Sequence, residues 1–152
     1  MAKLLMKDYT ASIMIEPPKN GWGLQTVIIG GADLYPGHPV TQTAETPPTV
    51  ASPASANDVF YGILLDKIGK GIDEVFTAGE SATVMLNGSG GACWTWLIAA
   101  DATVFPGTRL HMAAGVYCTI AETMLFENVG LIIEYSLTDA SDDRPVKVVL
   151  CG

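Results

Sequence analysis

Tyr35-Pro36-Gly37-His38-Pro39-Val40 is the stretch that decides the fold, because its aromatic-Pro-Gly turn occurs again later in the chain. The second copy is Phe105-Pro106-Gly107, which leads to Leu110. Each turn is followed, after a similar number of residues, by a short apolar strand with a glycine near its start. The two strands read Tyr61-Gly62-Ile63-Leu64-Leu65-Asp66 and Val129-Gly130-Leu131-Ile132-Ile133-Glu134. This recurrence predicts one β-unit that is used twice around a single core.

The composition favours many short strands over long helices. Of the 152 residues, 16 are Gly and 9 are Pro, which interrupts helices but suits turns between strands. Apolar residues make up 49% of the chain, enough to bury a core. The sequence therefore predicts an all-β fold, a small β-barrel or β-sandwich, in a single domain over residues 24–152. Residues 1–23 are predicted to form an extended N-terminal arm in which Ser12–Glu16 is a short strand.

Two stretches of small and turn-forming residues are predicted to connect strands. Residues 41–57 consist mainly of Thr, Ala, Pro and Ser, with Glu45 as their one charged residue, and this composition predicts a long surface loop. Asn87-Gly88-Ser89-Gly90-Gly91 lies between Leu86 and Ala92. Because glycine tolerates positive φ, this stretch is predicted to be the turn of a hairpin.

The charge of the chain limits its partners. The 16 acidic and 8 basic residues give a net charge of −8, which disfavours binding to nucleic acid. Only 16% of residues are charged, so much of the surface is neutral or apolar and is expected to contact other copies or a larger assembly. No apolar run reaches the ~18 residues of a membrane span, and residues 1–16 lack a signal-peptide core. We expect no membrane association and synthesis in the cytoplasm.

Residue types that perform catalysis or bind metals are sparse. His38 and His111 lack the spacing of a zinc site and are predicted to be surface turn residues. Asp139, Asp142 and Asp143 offer carboxylates to a cation, but the EF-hand pattern is absent and a solvated loop is favoured. The sequence thus predicts no catalytic residue, no metal site and no cofactor.

Trp94 and Trp96 project from the same face of a predicted strand, because side chains alternate along a strand. The two rings either fill the core of a small barrel or form a contact between copies of the chain. A third use, stacking on a sugar, requires both rings to be exposed.

Several segments, taken together, match the pattern of one protein family. They are the two Pro-Gly turns, the stretch 41–57, Tyr61–Leu65, Ala78-Gly79-Glu80-Ser81-Ala82-Thr83-Val84 and the closing Pro145–Leu150. In this combination the chain resembles the capsid decoration, or cement, proteins of tailed phages, with the closest similarity from about Gly31 to Leu86. The resemblance implies a β-tulip-like fold. It also implies a homotrimer on the outside of an icosahedral head, where it clamps neighbouring subunits of the major capsid protein.

The resemblance also suggests which residues make the contacts on the exterior of the virion. The N-terminal arm is predicted to add a strand to a capsid sheet, a mode in which backbone hydrogen bonds supply affinity. Truncation through Pro17 is then expected to weaken attachment without unfolding the domain. The predicted docking residues are Leu4, Leu5, Tyr9, Ile13 and Ile15. Trp94 and Trp96 are the predicted contacts between copies.

Three alternative functions stay open at this point. The first is another phage structural role, such as the base of a head fibre or a tail component. The second is a trimeric β nucleotide hydrolase, although its Ser-Gly phosphate-binding motifs and catalytic Asp are not recognisable. The third is a carbohydrate-binding module that uses the two tryptophans.

Overall fold

The computed structural model describes residues 5–54, 58–97, 106–112, 118–120, 128–132 and 144–150. These ranges contain eleven strands and one short 3-10 helix, Met6–Asp8. The strands are β1 (Met14–Glu16), β2 (Leu24–Ile29), β3 (Pro39–Glu45), β4 (Pro48–Ala51), β5 (Gly62–Leu64), β6 (Ser81–Leu86), β7 (Ala92–Leu97), β8 (Arg109–Met112), β9 (Cys118–Ile120), β10 (Asn128–Ile132) and β11 (Arg144–Val149). The prediction of an all-β fold is confirmed. No helix in these ranges is long and apolar enough to cross a membrane.

The first five strands after β1 close into a barrel in the order β2-β4-β3-β5-β6. The β2–β4 pair is parallel and the other pairs are antiparallel. All five strands contribute to one cluster of buried side chains, here called the barrel core. Its members are Val27, Ile29, Leu34, Val40, Val50, Leu64, Phe76, Ala82 and Val84. The barrel therefore encloses a core of its own.

The later strands form a second closed set. Strands β7-β11-β10-β8-β9 pair in that order, and a parallel contact between Leu97 and Cys118 joins β9 back to β7. Strand β1 adds to β7 from outside this ring. The second ring thus has five strands and one parallel pair, as the first barrel does.

The two rings share their strand registers, which identifies them as copies of one unit. Val40 lies opposite Gly62 in the first barrel, and Leu110 lies opposite Gly130 in the second ring. Leu86 donates its backbone N–H to Gly23 over 2.9 Å, and Leu150 donates to Gly91 over 2.9 Å. The turn glycines that precede β3 and β8 have φ of 90° and 93°. The predicted repeat is confirmed.

The buried side chains form two clusters, where the sequence predicted one core. Along β5 and the residue after it, Leu64 belongs to the barrel core, whereas Ile63 and Leu65 belong to the second cluster. This alternation follows from the two-residue period of a strand. The second cluster, here called the shared core, also contains Trp94 and Trp96 of β7. The outer wall of the first barrel therefore packs against the second ring.

The prediction of a long loop over residues 41–57 is wrong for its first part. Residues 39–51 form the antiparallel strands β3 and β4, joined by a turn at Thr46 and Pro47. Proline weakens a strand by removing an N–H from its ladder, but it is tolerated at the first residue of a strand. Pro39 and Pro48 occupy that position in β3 and β4.

The prediction of a hairpin around residues 87–91 is also wrong. Strand β6 pairs with β2 and β5, whereas β7 pairs with β1, β9 and β11. Gly90 donates its N–H to Leu150 over 2.8 Å, which ties the segment to the end of β11. The glycine-rich stretch is therefore the connection between the two copies of the unit.

The glycine at the start of β5 is required by close packing of backbone. A Cβ atom at Gly62 would overlap the backbone of Met85 and the side chain of Val84 on the neighbouring strand. We expect Gly62→Ala to lower the free energy of unfolding by about 1–3 kcal/mol, the usual cost of overpacking, measured by urea denaturation. Gly21→Ala is the matched control because nothing lies within 4 Å of its Cβ position. Equal urea midpoints for both variants would contradict this explanation.

Candidate docking surface

The N-terminal segment packs into its own chain. Met6 and Ile13 have exposed fractions of 0%, and both belong to the shared core with Trp94 and Trp96. Trp94 donates its backbone N–H to the carbonyl of Ile13 over 2.9 Å, immediately before β1 begins. Residues 5–16 therefore pack onto the second ring and bury its tryptophans.

Two carboxylates of the segment between β5 and β6 hold this N-terminal segment in place. Asp73 accepts hydrogen bonds from the backbone N–H groups of Met6 at 2.8 Å and Lys7 at 3.0 Å. Asp66 accepts one from the N–H of Ile13 at 2.8 Å. Bonds from N–H groups to an ionised carboxylate are stronger than bonds between neutral groups. The first barrel thus positions the segment that covers the second ring.

The five residues predicted to dock on a capsid have different environments. Leu4 lies outside the described residues. Ile13 is enclosed by its own chain, Leu5 is half-buried, and Tyr9 packs against Trp94 with ring centroids 6.1 Å apart. Ile15 is 40% exposed. Ile15 is therefore the described member of this set with the largest exposed fraction.

The two tryptophans of β7 lie inside the fold. Trp94 is 7% exposed and Trp96 is 5% exposed. The ammonium of Lys147 stands 5.2 Å from the centre of the Trp94 ring, and Tyr9 packs against the same ring. Their burial supports the core interpretation, and it removes the exposed pair of rings that the carbohydrate-binding alternative requires. A contact between copies needs other residues.

The first barrel leaves an apolar face open on β2. Trp22 is 56% exposed and Leu24 is 44% exposed, and the exposed Thr26 follows Leu24 on the same side of the strand. We call these three residues the β2 face. Sequence reasoning missed it, although a tryptophan between Gly21 and Gly23, directly before a strand, was a usable signal. Exposed large apolar side chains that adjoin one another typically mark a contact site.

A groove of 480 Å³ adjoins the β2 face. It is lined by Thr26, Asp66, Lys67, Ile68, Ser81, Ala82 and Thr83. Thr26 and Thr83 lie opposite each other on β2 and β6. Lys67 donates to the carbonyl of Ser81 at 3.0 Å and pairs with Glu80 at 3.3 Å. The groove extends the β2 face with a polar wall.

The charged groups nearest this groove have structural partners. Glu80 accepts a hydrogen bond from the N–H of Thr77 at 2.9 Å and forms ion pairs with Lys67 and Lys70, each at 3.3 Å. The Thr77 N–H is the main cause that lowers the pKa of the Glu80 carboxyl, and the two lysines add to it. These contacts secure the turn before β6.

The histidines are buried, so the prediction of surface turn residues is wrong. His38 is 4% exposed and His111 is 6% exposed. The Nδ1 atom of His38 accepts a hydrogen bond from the N–H of Tyr35 at 3.0 Å, which fastens the Tyr-Pro-Gly turn. Among the residues that the structure describes, no group of three or more His, Cys, Asp or Glu side chains is placed to hold a metal ion. Asp139, Asp142 and Asp143 lie outside these residues.

No model of a protein family matches the chain, and no curated protein matches it.

Proposed function

We propose that this protein is a capsid decoration protein, a non-enzymatic component of a virus particle. It binds the outside of an icosahedral head and stabilises the lattice of the major capsid protein. The observation that carries the proposal is the β2 face. Trp22 and Leu24 expose apolar side chains on a barrel that is already closed, and neither belongs to its buried core, so this surface is available to a partner. The resemblance in turns and strands to cement proteins supports the same function.

The net charge and the low charged fraction also support attachment to a protein lattice. A chain of net charge −8 is repelled by nucleic acid phosphates, and 16% charged residues leave neutral surface for protein contacts. Many weak contacts repeated over a lattice reinforce one another through their high effective concentration. The function requires no cofactor.

Co-sedimentation tests attachment directly. The probe is heads assembled from the major capsid protein encoded in the same genome, and isolated tails serve as the second arm. The chain is expected to sediment with heads and to raise the temperature at which they disrupt. Sedimentation with tails alone would favour the other phage structural roles, and binding to neither particle would contradict the proposal.

The β2 face is expected to supply the attachment. The double variant Trp22→Ser with Leu24→Ser should weaken binding to heads at least tenfold, because buried tryptophans dominate the energy of many interfaces. Val75→Ser is the matched control, since Val75 is 40% exposed and lies outside the β2 face. Equal binding by the double variant and the control would exclude this face as the contact.

Association of copies belongs to the same proposal. A trimer is favoured because a decoration protein at a three-fold position of the head matches that symmetry, and a closed ring of three copies uses the same pair of contact patches on every copy. Analytical ultracentrifugation of the purified chain measures the number of copies. A monomer at every concentration tested would contradict a trimer formed before attachment.

A further inference from the structure

The equivalence of the two rings allows their outer edges to be compared residue by residue. Leu24 lies opposite Met85 in the first barrel, and Ala92 lies opposite Val149 in the second ring. Strands β2 and β7 are therefore counterparts. The position of Thr26 in β2 corresponds to that of Trp94 in β7.

The edge of β7 is occupied by the chain itself. The contact with β9 involves Leu97 at the end of β7. Nearer the start of β7, Cys93 pairs with Met14 and Ala92 with Glu16 in an antiparallel arrangement. Strand β7 thus pairs with two strands along the same edge: β1 near its start and β9 at its end.

In the part of the chain that the structure describes, the corresponding edge of β2 has a partner only at its end, where β4 takes the place that β9 has on β7. Strand β4 pairs with Ile28 and Ile29. Among the described residues, no strand pairs with Leu24–Thr26 on this side, which is the position that β1 takes on β7. The first barrel therefore has an edge opening where the second ring has β1.

The backbone groups at this opening point away from β6. Ile29 donates its N–H to Glu80, and Gly23 accepts from Leu86, so the odd-numbered residues of β2 bond to β6. The N–H and C=O groups of Leu24 and Thr26 consequently face the other side, because backbone groups alternate along a strand. The N–H of Thr26 in β2 corresponds to the N–H of Trp94 in β7, and the Trp94 N–H donates to the carbonyl of Ile13.

The exposed fractions of the side chains also distinguish the occupied edge of β7 from the open edge of β2. At the occupied edge Ala92 is 4% exposed and Trp94 is 7% exposed, whereas at the open edge Leu24 is 44% exposed. Trp22 stands beside the same opening and is 56% exposed. The counterpart positions are thus buried where β1 is present and exposed where it is missing.

We infer that Leu24–Thr26 binds an extended segment of another protein, which adds antiparallel to β2 as β1 adds to β7. Backbone N–H and C=O groups supply the pairing, and Trp22 and Leu24 supply the apolar contact. The segment resembles Ile13-Met14-Ile15, the apolar residues around the start of β1, in being short and apolar. It is neutral or basic, because this chain carries a net charge of −8. A second copy is disfavoured as donor, since its own β1 is held on its own β7.

This inference names the mode of attachment for the proposed function and depends on it for the identity of the partner. Strand binding is testable without heads. The probe is a labelled peptide of residues 10–16 with blocked ends in which Glu16 is replaced by Gln, Thr-Ala-Ser-Ile-Met-Ile-Gln, so that it is neutral. Fluorescence anisotropy with the full chain is expected to show saturable binding, and no binding would overturn the inference.

One substitution separates the open edge from other sites. Thr26→Pro removes the outward N–H and leaves the β2–β6 ladder intact, because proline is tolerated where its missing N–H faces away from a partner strand. We expect it to weaken peptide binding about tenfold or more. Thr26→Val keeps the N–H and is expected to retain binding. Undiminished binding to Thr26→Pro would place the peptide elsewhere, for example on β7 after displacement of β1, and would overturn the inference.

Two further measurements keep the result interpretable. A peptide with N-methylated backbone at alternate residues tests the wild-type chain, so a poorly folded Thr26→Pro variant does not decide the outcome. Loss of binding by one of the two methylation registers supports strand addition, and equal binding by both overturns it. If Thr26→Pro abolishes peptide binding and leaves binding to heads unchanged, strand addition stands as a property of the chain and the proposed route of attachment fails.

Discussion

Deletion of residues 1–17 is expected to abolish cooperative folding. The deleted segment contains Met6 and Ile13, both with exposed fractions of 0% in the shared core. Truncating one such side chain to Ala typically costs about 2–5 kcal/mol, and whole domains are stable by only about 5–15 kcal/mol. The deletion also uncovers Trp94 and removes three backbone hydrogen bonds to Asp66 and Asp73. The sequence alone led us to expect an intact domain after this truncation.

Urea denaturation followed by circular dichroism measures the effect. The single variants Met6→Ala and Ile13→Ala are expected to lose about 2–5 kcal/mol each. Ile15→Ala is the matched control, because Ile15 is 40% exposed and its truncation is expected to cost no more than about 0.5 kcal/mol. A truncated chain with the same urea midpoint as the full chain would show that the segment does not contribute to the fold.

Because deletion of residues 1–17 is expected to unfold the chain, this deletion is not a suitable variant for testing attachment to heads. A truncated chain that fails to bind heads has lost its fold, so the failure says nothing about a docking arm. Substitutions on the exposed β2 face leave the cores unchanged and are the informative variants. The same reasoning favours Ile15 over Ile13 for any test of the N-terminal segment.

Replacement of Trp96 by Ala is expected to lower the free energy of unfolding by about 3–5 kcal/mol, the usual cost of truncating a buried aromatic side chain. Trp96 is 5% exposed and lies in the shared core. That cluster also contains Ile63 and Met85 from the first barrel, so the lost volume lies where the two rings meet. The second ring is therefore expected to lose packing against the first.

Thermal and urea unfolding of Trp96→Ala measure the change, with Trp22→Ala as the matched control. Trp22 is 56% exposed, so its truncation in the isolated chain is expected to stay within about 0.5 kcal/mol. The two variants should therefore differ strongly in stability. The opposite order of stability would mean that Trp22 is packed and Trp96 is not, which would overturn the assignment of the shared core.

The repeat could be predicted from the sequence because it depends on local backbone demands. The turn at Gly37 requires positive φ, which glycine adopts without strain, and the turn at Gly107 requires the same. The glycine of β5 admits the close approach of β6. Such demands act on one or two residues, so they leave a visible pattern in the chain.

Other features could not be predicted because they depend on partners distant in sequence. Residues 39–51 form strands because β5 pairs with β3 and β2 pairs with β4. Their composition of Thr, Ala and Pro resembles that of a loop. The 87–91 turn has the residues of a hairpin, yet its flanking strands belong to different rings. Strand pairing decided both cases against local composition.

By itself, the sequence determined the all-β class and the use of one unit twice, because turns and alternating strands are encoded by neighbouring residues. Only the tertiary structure decided which tryptophans are buried and which edge is open. Met6 and Ile13 pack over Trp94 and Trp96, and no described segment packs in the same way over Trp22 and Leu24. Burial is a property of contacts between distant parts of the chain, so counterpart strands lie in a core in one ring and at the surface in the other.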